Sequence, residues 1–221
     1  MAVSFLILHQ EEDNMIQGVI FDMDGVLVDT ETFYTERRGI FLAKHGISQG
    51  DGTQFVGSNE KAIWEALVPD DEILREKLKL EYRKTWMKDP VPFGKLLNPQ
   101  VKMVFQALKE KGLKVAIASS SVGYEIENMM EAAKVEELVD FYISGVDCEQ
   151  HKPNPEIYQK AMAALNLNPE TAIAVEDSPT GISAALNAGL NVYALKPKKG
   201  ILNQKAATEI IEELKDVLKY V

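Results

Sequence analysis

The chain has 221 residues, 46% of them hydrophobic and 26% charged, enough for one sizeable core and a smaller accessory domain. Its 34 acidic residues outnumber its 24 Lys and Arg for a net charge of −10, and the basic side chains are scattered, which argues against a nucleic-acid surface. No run of about twenty apolar residues is present to span a membrane, and the lone Cys148 has no partner for an intramolecular disulfide, which fits a cytoplasmic location.

Residues 1–14 contain a short apolar run, Val3 to Leu8, without a basic segment before it or a small-residue cleavage site after it. They read as an N-terminal leader ahead of Met15 and are set apart from the fold. From there the β-branched run Gly18–Asp22 predicts a first strand, and Lys114–Ser119, Phe141–Ser144, Ala172–Glu176 and Asn191–Leu195 predict four more. Helical periods fall between them, at Pro99–Lys111, Gly123–Ala133, Pro155–Leu165 and Thr180–Ala188, with Gly112 and Gly189 placed as helix ends. Alternating apolar strands and helices predict an α/β fold, a Rossmann-like parallel sheet covered on both faces.

The interval between the first two strands differs. Glu31–His45, Asn59–Leu67 and Asp71–Lys88 are helical in period and rich in charge, with no strong strand. This predicts an inserted α-helical domain over residues 31–96, leaving 15–30 and 97–221 as the core. The insertion is entered near Asp29-Thr30 and left through the proline-bearing stretch Asp89 to Gly94, where Pro restricts the backbone as a hinge requires.

In open parallel sheets, ligands bind beyond the carboxyl ends of the strands. There the sequence puts Asp22, Ser119 and Glu176-Asp177 at three strand ends, and Lys152 shortly after a fourth. Gathered together, Asp22, Asp24, Glu176 and Asp177 repel one another unless compensated. Lys152 and a divalent cation supply the compensation, and Mg²⁺ suits a site of oxygen ligands that also takes substrate phosphate. Gly25 lets the chain turn so that Asp22 and Asp24 face one reacting group, one as nucleophile and one as proton donor and acceptor. The Ser119 hydroxyl and the backbone N–H groups of Ser120 and Ser121 can meet phosphoryl oxygens. Each piece alone also suits a helix start: Ser119-Ser120-Ser121 and Glu176-Asp177-Ser178 as caps, Lys152-Pro153 as a loop entering a helix. Their joint order at successive strand ends is what points to phosphoryl transfer.

These segments resemble the haloacid dehalogenase superfamily, in particular its subfamily with a helical cap, which includes β-phosphoglucomutase and phosphoglycolate phosphatase. The resemblance is carried by Val19-Ile20-Phe21-Asp22-Met23-Asp24-Gly25-Val26-Leu27-Val28-Asp29-Thr30, Ala116 to Ser121, Lys152-Pro153-Asn154-Pro155 and Val175 to Gly181. It implies Asp22 as a nucleophile forming a phosphoaspartate and Asp24 as general acid and base. It implies magnesium on Asp22, the Asp24 carbonyl and Asp177, with Glu176 as a ligand or an orienting group. Ser119, Ser120 and Lys152 would hold the phosphoryl group.

The resemblance also separates the family's chemistries. Dehalogenases lack a carboxylate at the place of Asp24. Phosphonatases carry a small residue at Met23 and a Schiff-base lysine in the cap; Met23 speaks against that reading, and Lys61 keeps it open. β-Phosphoglucomutases carry a His at Tyr34 and a phosphate-binding Arg near Glu60, and both are replaced. The expected function is a Mg²⁺-dependent phosphatase of a small phosphorylated metabolite, such as a sugar phosphate, working as a monomer or weak homo-oligomer. A phosphosugar mutase is the alternative, ahead of a phosphoaspartate receiver or an inactive binding protein. Substrate choice is expected in the cap, at Tyr34 and in the loop from Phe55 to Lys61 with Gly57, Glu60 and Lys61, while Trp64 is expected to pack the cap's own core.

Overall fold

The computed structural model describes residues 15–50, 52–55, 60–86, 89–198 and 200–221. The leader of residues 1–14 and the loop position Gly57 lie outside the described residues. In chain order the elements are β1 (Gly18–Phe21), α1 (Glu31–Ala43), α2 (Glu60–Leu67), α3 (Glu72–Trp86), α4 (Phe93–Leu96), α5 (Val101–Glu110), β2 (Lys114–Ser119), α6 (Gly123–Ala133), β3 (Phe141–Ser144), α7 (Glu156–Leu165), β4 (Ala172–Glu176), α8 (Pro179–Asn187), β5 (Asn191–Leu195) and β6 (Glu209–Ile211).

The strands form one parallel sheet in the order β3-β2-β1-β4-β5-β6. Period-two alternation divides their side chains between two cores. Val19, Phe21, Val115, Ile117, Ile173 and Val175 point to one face, where α5 and α6 bring Val104, Phe105, Ile126 and Met129. Ile20, Ala116, Ala118, Ala172 and Ala174 point to the other, against Tyr158 and Ala161 of α7 and Ala184 and Ala185 of α8. The small residues on that second face let the helices approach closely. Gly112 and Gly189 end α5 and α8 with φ of 78° and 87°, as their positions ahead of strands require.

The chain order reverses at β1. From there β2 and β3 extend the sheet on one side, and β4 to β6 on the other, which leaves a crevice beyond the ends of β1 and β4. The edge strand β6 has no counterpart among the predicted strands. Its sequence, Glu209-Ile210-Ile211 followed by two more Glu, is short and acidic, and it is held because Ile211, Leu214 and Val217 are buried on the first core.

Helices α1 to α3 carry an apolar cluster of their own: Phe41, Leu42, Trp64, Val68, Leu78 and Tyr82. Trp64 is at its centre, with its ring meeting those of Phe41 and Tyr82 edge-on. The segments leading into and out of this helical block lie side by side. Val28 and Leu97 bridge antiparallel, and the Asp29 N–H donates to the Leu96 carbonyl at 2.8 Å. The exit is less loose than its prolines suggest, because Pro92 begins the short helix α4 and Phe93 is buried in the first core.

Candidate active site

Strand β1 stops at Phe21 because the chain turns after Asp22, whose N–H still donates to the Val175 carbonyl at 2.9 Å. That last ladder bond puts the Asp22 side chain at the mouth of the crevice. The turn is closed by the Gly25 N–H donating to the Val28 carbonyl at 2.7 Å. Gly25 has a φ of 85°, and a Cβ there would lie 2.0 Å from Asp177 Oδ2. No side chain fits between the two loops, so glycine is what lets Asp177 approach the Asp22–Asp24 turn.

Lys152 is buried and its Nζ reaches Asp22 Oδ1 at 2.7 Å, Glu176 Oε1 at 2.6 Å and the Ala118 carbonyl at 3.0 Å. Tyr158 Oη, on α7, donates to Glu176 Oε1 at 2.7 Å. The other oxygen of Glu176 accepts from the backbone N–H of Asp177 at 3.1 Å. Glu176 is fully buried, and a Cβ on Gly181 would fall 1.9 Å from it, so the first turn of α8 is cut away to hold this carboxylate. With both oxygens engaged, Glu176 is built to orient Lys152 and the Asp177 loop. Gln204 braces that loop, donating to the carbonyls of Asp177 and Leu195 at 2.7 Å each.

Asp24 sits in different company. Its Oδ1 accepts from Thr30 Oγ1 and its Oδ2 from Ser121 Oγ at 2.7 Å, and among the described residues no cation lies within ion-pair distance. Ser121 therefore serves Asp24, while α6 begins at Val122 with no side-chain cap. Ser119 is fully buried, and its Oγ accepts the Ser121 N–H at 3.0 Å. Ser144 Oγ donates to the Ser121 carbonyl at 2.6 Å and fixes the same turn from the end of β3. The neighbouring Ser120 is exposed on the chamber wall.

Burial dominates the electrostatics. It raises the Asp22 carboxyl to about 7, with Lys152 opposing and Glu176 and Asp24 adding to the rise. Asp24 is raised by burial, partly offset by Thr30 and Ser121, and Asp177 is raised by burial and by Glu176. One lysine does not balance four clustered carboxyl groups. Oxygens of Asp22, Glu176 and Asp177 lie within 4.8 Å of one another, an all-oxygen set that suits a hard divalent cation such as Mg²⁺.

A chamber of about 1720 Å³ lies between this cluster and helices α1 to α3, and Asp22, Asp24, Lys152 and Asp177 line it. Tyr34 of α1 also lines it, with a buried hydroxyl that makes no well-formed hydrogen bond. Glu60 lines it too but is paired with Arg83 of α3, whose Nε donates at 3.1 Å. The position near which the resemblance puts a phosphate-binding Arg in β-phosphoglucomutases thus carries a carboxylate with its own counter-charge. Lys61 is exposed beside Glu65 at 3.9 Å. Thr30, Ser121 as a partner of Asp24, Tyr158 and Glu125 are not among the site residues expected from the sequence. Only Thr30 and Ser121 carried a signal, as hydroxyl residues inside the quoted motifs.

The sequence model of the family described as haloacid dehalogenase-like hydrolase matches residues 19–195. The chain belongs to this family. A phosphorylated carbohydrates phosphatase of Thermotoga maritima is 32% identical over 92% of this chain and all of its own length. A (DL)-glycerol-3-phosphatase of Arabidopsis thaliana is 30% identical over 91% of this chain and 88% of its own. The β-phosphoglucomutase of Clostridium difficile shares the fold, with a TM-score of 0.76 at 21% identity over 92% of this chain and 93% of its own. This haloacid dehalogenase-like protein is thus an enzyme of a hydrolase family whose named relatives include phosphatases. Among its described residues no helix is long and apolar enough to cross a membrane.

Proposed function

We propose that this enzyme is a magnesium-dependent phosphatase that hydrolyses a small phosphate monoester, a sugar phosphate or similar metabolite, through a phosphoaspartate on Asp22. The observation that carries this reading is a pair of neighbouring carboxyl groups in unlike surroundings. Asp22 lies against the Lys152 ammonium at 2.7 Å, and Asp24 is held between two hydroxyls. The ammonium favours the anion that attack requires. Burial with hydroxyl partners suits a carboxyl group that gains and loses a proton.

The free oxygen of Asp22 attacks phosphorus, while Asp24 gives its proton to the departing alcohol oxygen. The alcohol leaves, and Asp24, now ionised, takes a proton from an entering water. That water's oxygen attacks the phosphorus of the phosphoaspartate, releasing inorganic phosphate and restoring the Asp22 carboxylate. Lys152 balances the charge throughout from a fixed position. Asp22, Asp177 and the Asp24 carbonyl, with Glu176 behind them, would hold magnesium, which would supply positive charge to the phosphoryl oxygens. Residues 31–96 act in this reading as a cap over a core made of 15–30 and 97–221, closing the chamber against bulk water.

The names of the carbohydrate and glycerol phosphate phosphatases above support a polyol phosphate as substrate. The test is a panel of phosphate monoesters assayed for phosphate release with Mg²⁺ and with a chelator. Release that requires Mg²⁺ is expected. Conversion of β-glucose 1-phosphate to glucose 6-phosphate without release would replace hydrolysis by the mutase reading.

A further inference from the structure

Glu125 stands in the first turn of α6, beside the Ser121 turn and on the wall of the chamber. It is only 6% exposed, yet no hydrogen bond or ion pair joins its carboxyl group to any described residue. An acidic residue in a first helical turn gains from the helix dipole, and this carboxyl group faces the open chamber rather than a partner within the protein. The proposed phosphoryl chemistry gives Glu125 no task. Its electrostatic neighbours are Asp24, Arg37 and Tyr34, and burial with Asp24 nearby raises it to about 7. Tyr34 reaches the same place from α1, its buried hydroxyl directed at Asp24 and Ser121 without a well-formed hydrogen bond.

The cations of this wall, in contrast, are already engaged. Arg37 donates to the Asp89 carbonyl at 3.1 Å and lies over the Phe33 and Tyr34 rings. Arg38 donates to Gln49 at 2.7 Å, Arg83 pairs with Glu60, and Lys152 is held by Asp22 and Glu176. The hydrogen-bonding capacity that faces the chamber beside Asp24 therefore includes the Glu125 carboxyl group, with the exposed Ser120 on the same wall. Asp24 is the group proposed to protonate the leaving oxygen, so the leaving alcohol must lie against them.

We propose that Glu125 is a specificity-determining residue that binds hydroxyl groups of the leaving alcohol, so that phosphates of neutral polyols are preferred over those with an anionic or hydroxyl-free tail. The proposal rests on the assignment of Asp22 and Asp24 made above. A carboxyl group accepts hydrogen bonds from adjacent hydroxyls in either protonation state, and in its ionised form it repels a carboxylate or second phosphate.

The experiment measures kcat and KM of the full chain with Mg²⁺ on glycerol 1-phosphate, glucose 6-phosphate, propyl phosphate and phosphoglycolate. Wild type is compared with Glu125→Gln and Glu125→Ala, each checked for folding by circular dichroism. Wild type should favour the two polyol phosphates. Glu125→Ala should lower their kcat/KM relative to that of propyl phosphate by about tenfold, mainly through KM. Glu125→Gln, which keeps a hydrogen-bonding group but no charge, should narrow the gap between polyol phosphates and phosphoglycolate. A uniform loss on all four substrates, or an unchanged ratio in both variants, overturns the proposal while leaving phosphatase activity established. A wild type that hydrolyses none of the four overturns this proposal together with the function it rests on.

Discussion

At the scale of single residues, the site is a problem in charge. Asp22 is raised to about 7 by burial, so between its ordinary value of 3.8 and about 7 the folded chain holds a proton that the unfolded chain releases. Stability without metal must therefore fall as pH rises through that window. Glu125, raised to about 7 for the same reason, acts in the same direction. Glu156 is lowered to about 2 from 4.5, so its opposite contribution is complete once pH passes about 4.5 and does not mask the decline above it. Added Mg²⁺ should reverse the decline, because a cation bound only to the folded state with its carboxylates ionised stabilises that state. Thermal denaturation across this pH range, with chelator and with Mg²⁺, checks both statements. A melting temperature that rises with pH in chelator would contradict them.

The residues that the sequence makes visible are those where a polar group interrupts an apolar strand: Asp22, Ser119 and Glu176-Asp177. Their placement follows from strand length alone. Tyr158 and Glu125 are not legible as parts of the site, because an acidic residue in a first helical turn or a Tyr on a helix face is ordinary in sequence. Their burial is decided by what packs against them. The expectation for Glu60 failed to anticipate its neighbour for the same reason, since Arg83 is 23 residues away and meets it only across two helices.

At the scale of elements, the site is shaped as much by missing atoms as by side chains. The close approach of α8 to Glu176 depends on Gly181, where a Cβ would fall 1.9 Å from Oε1. Gly181→Ala should push Glu176 aside and strain its contacts with Lys152 and Tyr158, although alanine is the better helix former. The variant is expected to lose at least tenfold in kcat and about 1–3 kcal/mol in stability, the range for disturbing a buried hydrogen-bonded group. Denaturant unfolding and steady-state assays on the same preparation measure the two. A more stable variant with full activity would show that Glu176 does not need its present position.

The first five strands were readable because each is a short apolar run between turn residues. The last was not, since Glu209–Ile211 owes its pairing to Tyr193–Leu195 and its burial to the C-terminal segment behind it. The proline-bearing exit has the backbone restriction of a hinge. The structure adds that Phe93 anchors it to the core, a contact that local backbone preference does not reveal.

At the scale of the whole molecule, a chamber lies between the sheet's carboxyl edge and helices α1 to α3, and the segments leading into and out of those helices run side by side at Val28 and Leu97. The core side of the chamber holds the groups proposed to act on phosphorus. The helical side brings Tyr34 and Arg37 to the opposite wall, beside Glu125 of α6. This division explains why the reaction class was easier to read than the substrate: the first depends on residues in short contiguous motifs, the second on how two surfaces face each other.

The central claim is that Asp22 becomes phosphorylated during turnover. The enzyme should be quenched in acid while hydrolysing glycerol 1-phosphate with Mg²⁺, reduced with borohydride, and its peptides analysed by mass spectrometry. Borohydride converts an aspartyl phosphate to homoserine, so homoserine is expected at position 22, only when substrate and Mg²⁺ are both present. Steady turnover with position 22 unmodified, or with the phosphoryl group on another residue, would contradict the account.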